Sequence, residues 1–227
     1  MVINGYGIEP LSQSRCFDKR SFSAGLLGTK LNHDENYRGE YWLFMDKKHK
    51  TPFEIPQGEA VKAKGKEAVL FRCSKSPLVV RGYCKFENEE GCPYVLRFTL
   101  SVQVCEAKSF YATVMELLSK NPIWKSRNTQ ISMKDIWKEL DLKECCQKHL
   151  GEIGLECLES GDASSSEGQF RKRSEKWLNN EMRSGGLLSK GLQATVLEGT
   201  VEVDAFEKEK KDLEKKLEEI RKRGERS

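Results

Sequence analysis

Between Val95 and Val104 the chain alternates: Leu96, Phe98, Leu100, Val102 and Val104 take turns with Arg97, Thr99, Ser101 and Gln103. Successive side chains of a β-strand point to opposite faces. This period of two therefore predicts an antiparallel strand with one face in a core and the other in water. Its partner lies just upstream. Leu78-Val79-Val80-Arg81-Gly82-Tyr83-Cys84-Lys85-Phe86 is the outgoing strand, and Glu87 to Gly91 turns the chain. Gly91 and Pro93 favour a longer hairpin loop over a two-residue one. Ala68-Val69-Leu70-Phe71 is a further short strand, closed by Ser74 to Pro77.

After the hairpin the period changes. Phe110, Val114, Leu117 and Leu118 follow the apolar stripe of an amphipathic helix over Ser109–Ser119, ended by Asn121-Pro122. Ser132 then reads as an N-cap, with Asp135 three residues on and Ile131 spaced to staple against Ile136. Trp137 and Leu140 continue that helix, and Asp141 caps another stretch with Leu142, Cys146, Leu150 and Ile153. Glu159 to Gly168 is loop by composition. Phe170, Trp177, Leu178 and Met182 mark one more helix, stopped by Gly185-Gly186.

Residues 1–64 read less clearly. Arg38 to Phe44, with Tyr41, Trp42 and Phe44, suits one short strand, and Pro52 and Pro56 interrupt the chain beyond it. The basic run Lys62-Ala63-Lys64-Gly65-Lys66 reads as a solvated hairpin tip, because it lacks the Gly-x₄-Gly-Lys-Ser/Thr spacing of a phosphate loop.

The last forty residues change character twice. Leu192, Ala194 and Val196 alternate, Gly199 interrupts, and Val201 and Val203 resume, which predicts a bulge or a break between two strands at Gly199. Beyond Asp204 the pattern is helical. Phe206, Leu213, Leu217 and Ile220 fall at heptad positions d, d, a and d, with Lys210 at the remaining a position. Glu207–Lys211, Asp212–Lys216, Glu218–Lys222 and Glu219–Arg223 stand in the favourable order for ion pairs one turn apart. A seam this short, interrupted by a lysine, is marginal alone. The helix is therefore expected to pair, with Phe206, Leu213, Leu217 and Ile220 as oligomerisation residues; the plainer alternative is a solvated single helix. The expected fold class is α+β: an antiparallel hairpin or small sheet packed with amphipathic helices, then a C-terminal coiled-coil helix. The division is 1–64, an N-terminal region with short strands, 65–204, the α+β domain, and 205–227, the coiled-coil helix.

Composition narrows the function. The 39 Lys and Arg residues are nearly balanced by 35 Asp and Glu, which is too even for a dedicated nucleic-acid binder. The clusters Arg171-Lys172-Arg173 and Arg221-Lys222-Arg223 are each flanked by acidic residues and read as solvated faces. No run approaches the length of a membrane-spanning helix, and Met1-Val2-Ile3-Asn4-Gly5 lacks the features of a signal peptide. A cytoplasmic chain with reduced thiols is the expectation for its eight cysteines. Cys145, Cys146, His149 and Cys157 suggest zinc, but adjacent helical cysteines point about 100° apart and do not give paired-ligand spacing. No metal and no cofactor are expected. His33-Asp34-Glu35 is the one tight grouping of imidazole and acid, with no nucleophile beside it. Known catalytic signatures and any small-molecule substrate site are missing, so no enzyme is expected.

The order of elements carries a resemblance. An alternating strand, Val95-Leu96-Arg97-Phe98-Thr99-Leu100-Ser101-Val102-Gln103-Val104, runs into amphipathic helices. A second strand then opens at Gly191 in Leu188-Ser189-Lys190-Gly191-Leu192-Gln193-Ala194-Thr195-Val196 and leads through Val201-Glu202-Val203 into a charged helix. Over residues 67–220 this resembles the SPFH (band 7; stomatin, prohibitin, flotillin) domain, most closely the soluble bacterial branch related to virion core proteins. The resemblance implies a non-enzymatic scaffold that forms homo-oligomers through domain and coiled coil, at times peripheral to a membrane. An unrelated α+β adaptor that binds another chain through its tail is the alternative. An enzyme whose site is assembled from distant residues comes third.

Overall fold

The alternating stretch lies at the centre of a four-stranded antiparallel sheet. The computed structural model describes residues 2–10, 15–23, 28–48, 50–63, 68–120, 128–132, 135–136, 142–159, 163–182 and 185–224. The strands are β1 (Val2–Pro10), β2 (Arg15–Phe22), β3 (Thr29–Asn32), β4 (Glu40–Met45), β5 (Phe53–Ile55), β6 (Ala60–Ala63), β7 (Ala68–Ser74), β8 (Leu78–Glu87), β9 (Pro93–Val104), β10 (Asn128–Ser132) and β11 (Leu192–Val203). The helices are α1 (Ala107–Lys120), α2 (Leu142–Glu159), α3 (Ala163–Lys176) and α4 (Ala205–Gly224). The first sheet runs β1-β8-β9-β11, the second β10-β2-β7-β4-β5, and β3 pairs with β6 in a separate ribbon. The chain is α+β.

The hairpin forms, and the apolar face of β9 turns inward as expected. Val80 faces Leu100 and Gly82 faces Phe98 across β8 and β9. Leu96, Phe98, Leu100, Val102 and Val104 are buried, while Arg97 is exposed and Thr99, Ser101 and Gln103 lie between. The Phe98 ring fills the space over Gly82, where an added Cβ would fall 2.2 Å from the ring.

Residues 1–64 supply strands to both sheets: β1 pairs with β8, and β2 and β4 both pair with β7. Strands from residues 2–45 thus pair with strands from residues 68–87 in both sheets. β4 runs over Glu40–Met45 and is buried on both faces. Leu43 joins the main core with Tyr41 and Met45 beside it, while Trp42 and Phe44 join a second cluster with Ile55, Ala63, Ala68 and Leu70. A strand covered on both faces needs no polar alternation, which is why this run reads as continuously apolar. The expected hairpin tip at Lys62–Lys66 is corrected. Residues 64–67 lie outside the described residues, and the flanking strands β6 and β7 belong to different sheets.

The helices cover the sheets. α1 is capped by Glu106, whose carboxylate accepts from Lys108 N at 3.0 Å and Ser109 N at 2.6 Å. It places Phe110 edge-on to Phe17, 6.4 Å between centroids, and Tyr111 edge-on to Phe71 at 4.6 Å, so it packs on the second sheet. The Ser132–Asp135 cap forms reciprocally: Ser132 N donates to Asp135 Oδ2 at 3.0 Å, and Asp135 N donates to Ser132 Oγ at 3.2 Å. Ile131 and Ile136 are both buried. The residues before this cap form β10, which sequence pattern did not separate from loop. Trp137, Leu140 and Asp141 lie outside the described residues.

Three further expectations change. Helix α3 begins at Ala163, inside the segment read as loop. Serines favour loops and helix N-termini alike, and packing decides for helix, since Phe170 on α3 is buried against β11. The helix continues as a wider turn, Trp177–Glu181, and ends at Met182, before the glycines expected to stop it. The irregularity in β11 lies between Val196 and Glu198, so Leu197 is the bulged residue and not Gly199. β11 is one strand. Gly199 has a different reason: an added Cβ would meet the Phe170 ring at 2.2 Å.

Replacing Gly199 by Ala should cost about 1–3 kcal/mol by overpacking. In a Phe170→Ala background the same change should cost much less, because the obstructing ring is gone. Urea denaturation of the four chains of this cycle measures the coupling. Equal costs in both backgrounds would refute the contact.

Candidate interaction surface

β11 forms one edge of the first sheet, and α3 closes part of that edge with side chains. Asn179, in the turn just after α3, donates to Ala194 O at 2.8 Å and accepts from Ala194 N at 2.8 Å. Glu175 accepts from Val196 N, and Arg171 donates to Leu197 O, each at 2.8 Å. An edge whose amides and carbonyls are taken this way is a poor template for another strand. From Ala194 to Leu197 the edge is blocked.

At its far end β11 passes into α4 through Asp204. Asp204 N donates to Pro93 O at 2.9 Å, and Asp204 Oδ1 accepts from Glu207 N at 3.3 Å as a helix N-cap. Its other oxygen accepts from Lys85 Nζ at 2.8 Å. About two turns further on, Lys211 Nζ lies 2.6 Å from Glu87 Oε2 and donates to Gly91 O at 3.1 Å. The first turns of α4 are thus fastened to the β8–β9 turn by residues remote in sequence. The hydrogen bond from Lys85 holds the Asp204 carboxyl below its ordinary 3.8 and raises Lys85 in return.

This anchor sets the direction of the apolar seam. At about 100° per residue, Lys211 lies roughly 140° around the helix from Phe206. Phe206, Leu213, Leu217 and Ile220 share one stripe facing away from the hairpin, and are 73, 54, 66 and 65% exposed. They are the four most exposed large hydrophobic residues among those described. Phe206, Leu213 and Leu217 line a shallow groove with Glu209, Lys210 and Glu214.

Of the expected ion pairs on this helix, Glu218–Lys222 forms at 3.4 Å. Glu207–Lys211 does not. Lys211 is drawn to Glu87 and Gly91, and Glu207 takes Lys210 at 3.6 Å instead. An anchor to a partly buried carboxylate remote in sequence outcompetes an exposed pair on the same helix. Sequence reading missed the Lys85–Asp204 and Lys211–Glu87 contacts, whose partners lie more than a hundred residues apart; only the Asp204 cap was marked by its residue type.

The other groups singled out in the sequence have structural neighbours. His33 is buried, with Nδ1 2.7 Å from Ile55 O and Nε2 3.3 Å from Tyr37 O, and its ring stacks on Trp42 at 4.8 Å. Asp34 caps the next turn through Asn36 N at 2.9 Å. His149 sits 3.1 Å from Glu152 and against the Trp177 ring. Arg173 is paired with Glu156, and Arg171 lies 3.5 Å from Glu167. Burial pushes the Cys84 thiol up to about 11 and raises Cys105 and Cys157 as well. Cys145 and Cys146 lie outside the residues whose side chains are described. Among the described residues no group of three or more His, Cys, Asp or Glu is placed to hold a metal ion, and no helix is long and apolar enough to cross a membrane.

Compared with known proteins, the chain matches no family model and no curated protein.

The anchor makes a pH prediction. Asp204 has a lower pKa folded than unfolded, so its stabilisation is fully present above the ordinary carboxylate range. It is lost as pH falls through 3.8 and on through the folded value. Asp204→Asn keeps a capping oxygen but no charge. The difference in urea midpoint between parent and variant should therefore shrink as pH drops from neutrality through that range. A constant difference would mean that Asp204 acts as a cap alone.

Proposed function

We propose that the chain is a non-enzymatic scaffold that self-associates through α4, with the α+β body as the rigid base of that helix. The observation that carries this is the exposed stripe Phe206, Leu213, Leu217 and Ile220 on a helix fixed at its root by Asp204 and Lys211. A helix tethered to a folded strand has part of its ordering cost already met. Removing one large apolar side chain fully from water is worth about 1.5–3 kcal/mol. Four such residues per copy suffice for a weak pair once the loss of free motion is subtracted.

Two further features support the reading. The element order on which the SPFH resemblance rests, hairpin, helices, strand, charged helix, is also the order of these elements in the fold. The thiols with raised pKa values are poorly suited to nucleophilic work, and the ring nitrogens of His33 face backbone carbonyls. The proposal rests on the tail and not on a basic patch beside a membrane, because Arg171 and Arg173 are engaged by Leu197 O, Glu167 and Glu156.

Replacing Leu213 and Leu217 together by Asp should convert the assembly to smaller species while leaving the body folded. Glu218→Gln with Lys222→Gln should change association by no more than a few tenths of a kcal/mol. Sedimentation velocity with circular dichroism checks both. A parent that sediments as a monomer at every concentration would favour an adaptor whose tail binds a different chain.

A further inference from the structure

We infer that the tail pairs with the tail of a second copy in antiparallel orientation; the inference rests on the proposed pairing through α4. Heptad positions fix which charges flank the seam. With Lys210 and Leu217 at a and Phe206, Leu213 and Ile220 at d, the e positions hold Glu207, Glu214 and Arg221. The g positions hold Glu209, Lys216 and Arg223. The flanks of the first half of the helix are acidic and those of the second half are basic.

A parallel, in-register pair sets each g residue against the e residue of the partner's next heptad. It would bring Glu209 to the partner's Glu214 and Lys216 to the partner's Arg221, so that every such contact joins like charges. It would also place Lys210 against the partner's Lys210 in the same core layer. Nothing on the seam offsets that repulsion.

Reversing one helix changes the outcome. With Leu213 opposite the partner's Leu217, g residues face g residues and e residues face e residues. Glu209 then meets the partner's Arg223, and Glu207 meets the partner's Arg221, each twice by symmetry. Like charges meet only at the two-fold axis, where Glu214 and Lys216 face their own copies. Lys210 now lies across from the partner's Ile220, where its aliphatic stem packs and its ammonium reaches water. Phe206 lies across from the partner's Gly224, a large ring against the smallest residue. The root of the helix does not obstruct the approach, because Lys211 fastens it to Glu87 and Gly91 from the side away from the seam.

Charge reversal on the full chain separates the orientations by sign. Glu209→Lys turns two attractive contacts of the antiparallel pair into repulsive ones and should weaken dimerisation about tenfold. In a parallel pair the same change would create an attraction to the partner's Glu214 and strengthen dimerisation. Adding Arg223→Glu to Glu209→Lys should restore the parent affinity in the antiparallel pair alone. Sedimentation equilibrium reads all three chains. Small-angle scattering of the parent should show two bodies at opposite ends of a rod about 30 Å long, given 20 residues at about 1.5 Å each. Tighter association or no change with Glu209→Lys overturns the antiparallel assignment while leaving tail pairing standing, provided Leu213→Asp with Leu217→Asp still dissociates the parent. If that double variant keeps the parent's mass, tail pairing itself fails and the orientation falls with it.

Discussion

The pairing of β11 with β9 is the contact on which the rest of this fold depends. It joins Leu192–Val203 to Tyr94–Val104 across about a hundred residues of intervening chain. Loop closure of that span costs entropy before any contact rewards it, so both ends of the pairing are reinforced. At one end Gly191 sits at φ +72, where only a residue without a Cβ fits, since an added one would lie 2.3 Å from Glu106 O and Phe110 N. Its carbonyl accepts from Cys105 N at 2.9 Å and Glu106 N at 3.3 Å. The start of β11, the end of β9 and the start of α1 are thereby locked at one point. At the other end Asp204 N donates to Pro93 O, closing the ladder beside the hairpin turn. The direction of α4 is a consequence of this second lock.

The bulge at Leu197 has a role in the same arrangement. A register shift of one residue exchanges the faces of every side chain beyond it. Before it, Leu192, Ala194 and Val196 are buried; after it, Gly199 is the buried position, pressed by Phe170. The bulge thus brings a glycine, not a side chain, under the α3 aromatic. It also frees the Leu197 carbonyl for Arg171. Helix α3 therefore holds β11 in two ways, by a ring over a glycine and by polar side chains on the strand edge.

Legibility in the sequence tracks how local the deciding physics is. The β8–β9 hairpin, the stripe of α1 and the Ser132–Asp135 cap each depend on residues close together, and each stands where the pattern puts it. Of the strands in residues 1–64, β4 was legible from its aromatic run, while β1 and β2 were not, because they find their partners β8 and β7 far along the chain. The start of α3 was hidden by serines that suit a loop as well as a first helical turn. In the candidate surface, the seam was readable from its heptads. Its anchor was not, because Glu87 and Lys85 look like ordinary strand-end charges until β11 brings Asp204 and Lys211 beside them.

Symmetry adds the last step. An antiparallel pair of tails is isologous: each copy offers the same patch to the other, and the contact closes at two copies. An assembly larger than a dimer therefore requires a second and different contact from the body. The topology places β1 at the other edge of the first sheet and β10 and β5 at the edges of the second, while β11 is blocked by α3 and the turn after it from Ala194 to Leu197. A scaffold built on this chain would thus use two kinds of contact with different chemistry, one an apolar seam steered by charge, the other from the body. Salt would act on them unequally. In the proposed antiparallel pair, screening would remove the Glu209–Arg223 and Glu207–Arg221 steering and leave the apolar burial of Leu213 and Leu217 largely intact. Orientation and affinity of such a pair would therefore be separable properties, the first set chiefly by charge and the second by apolar burial.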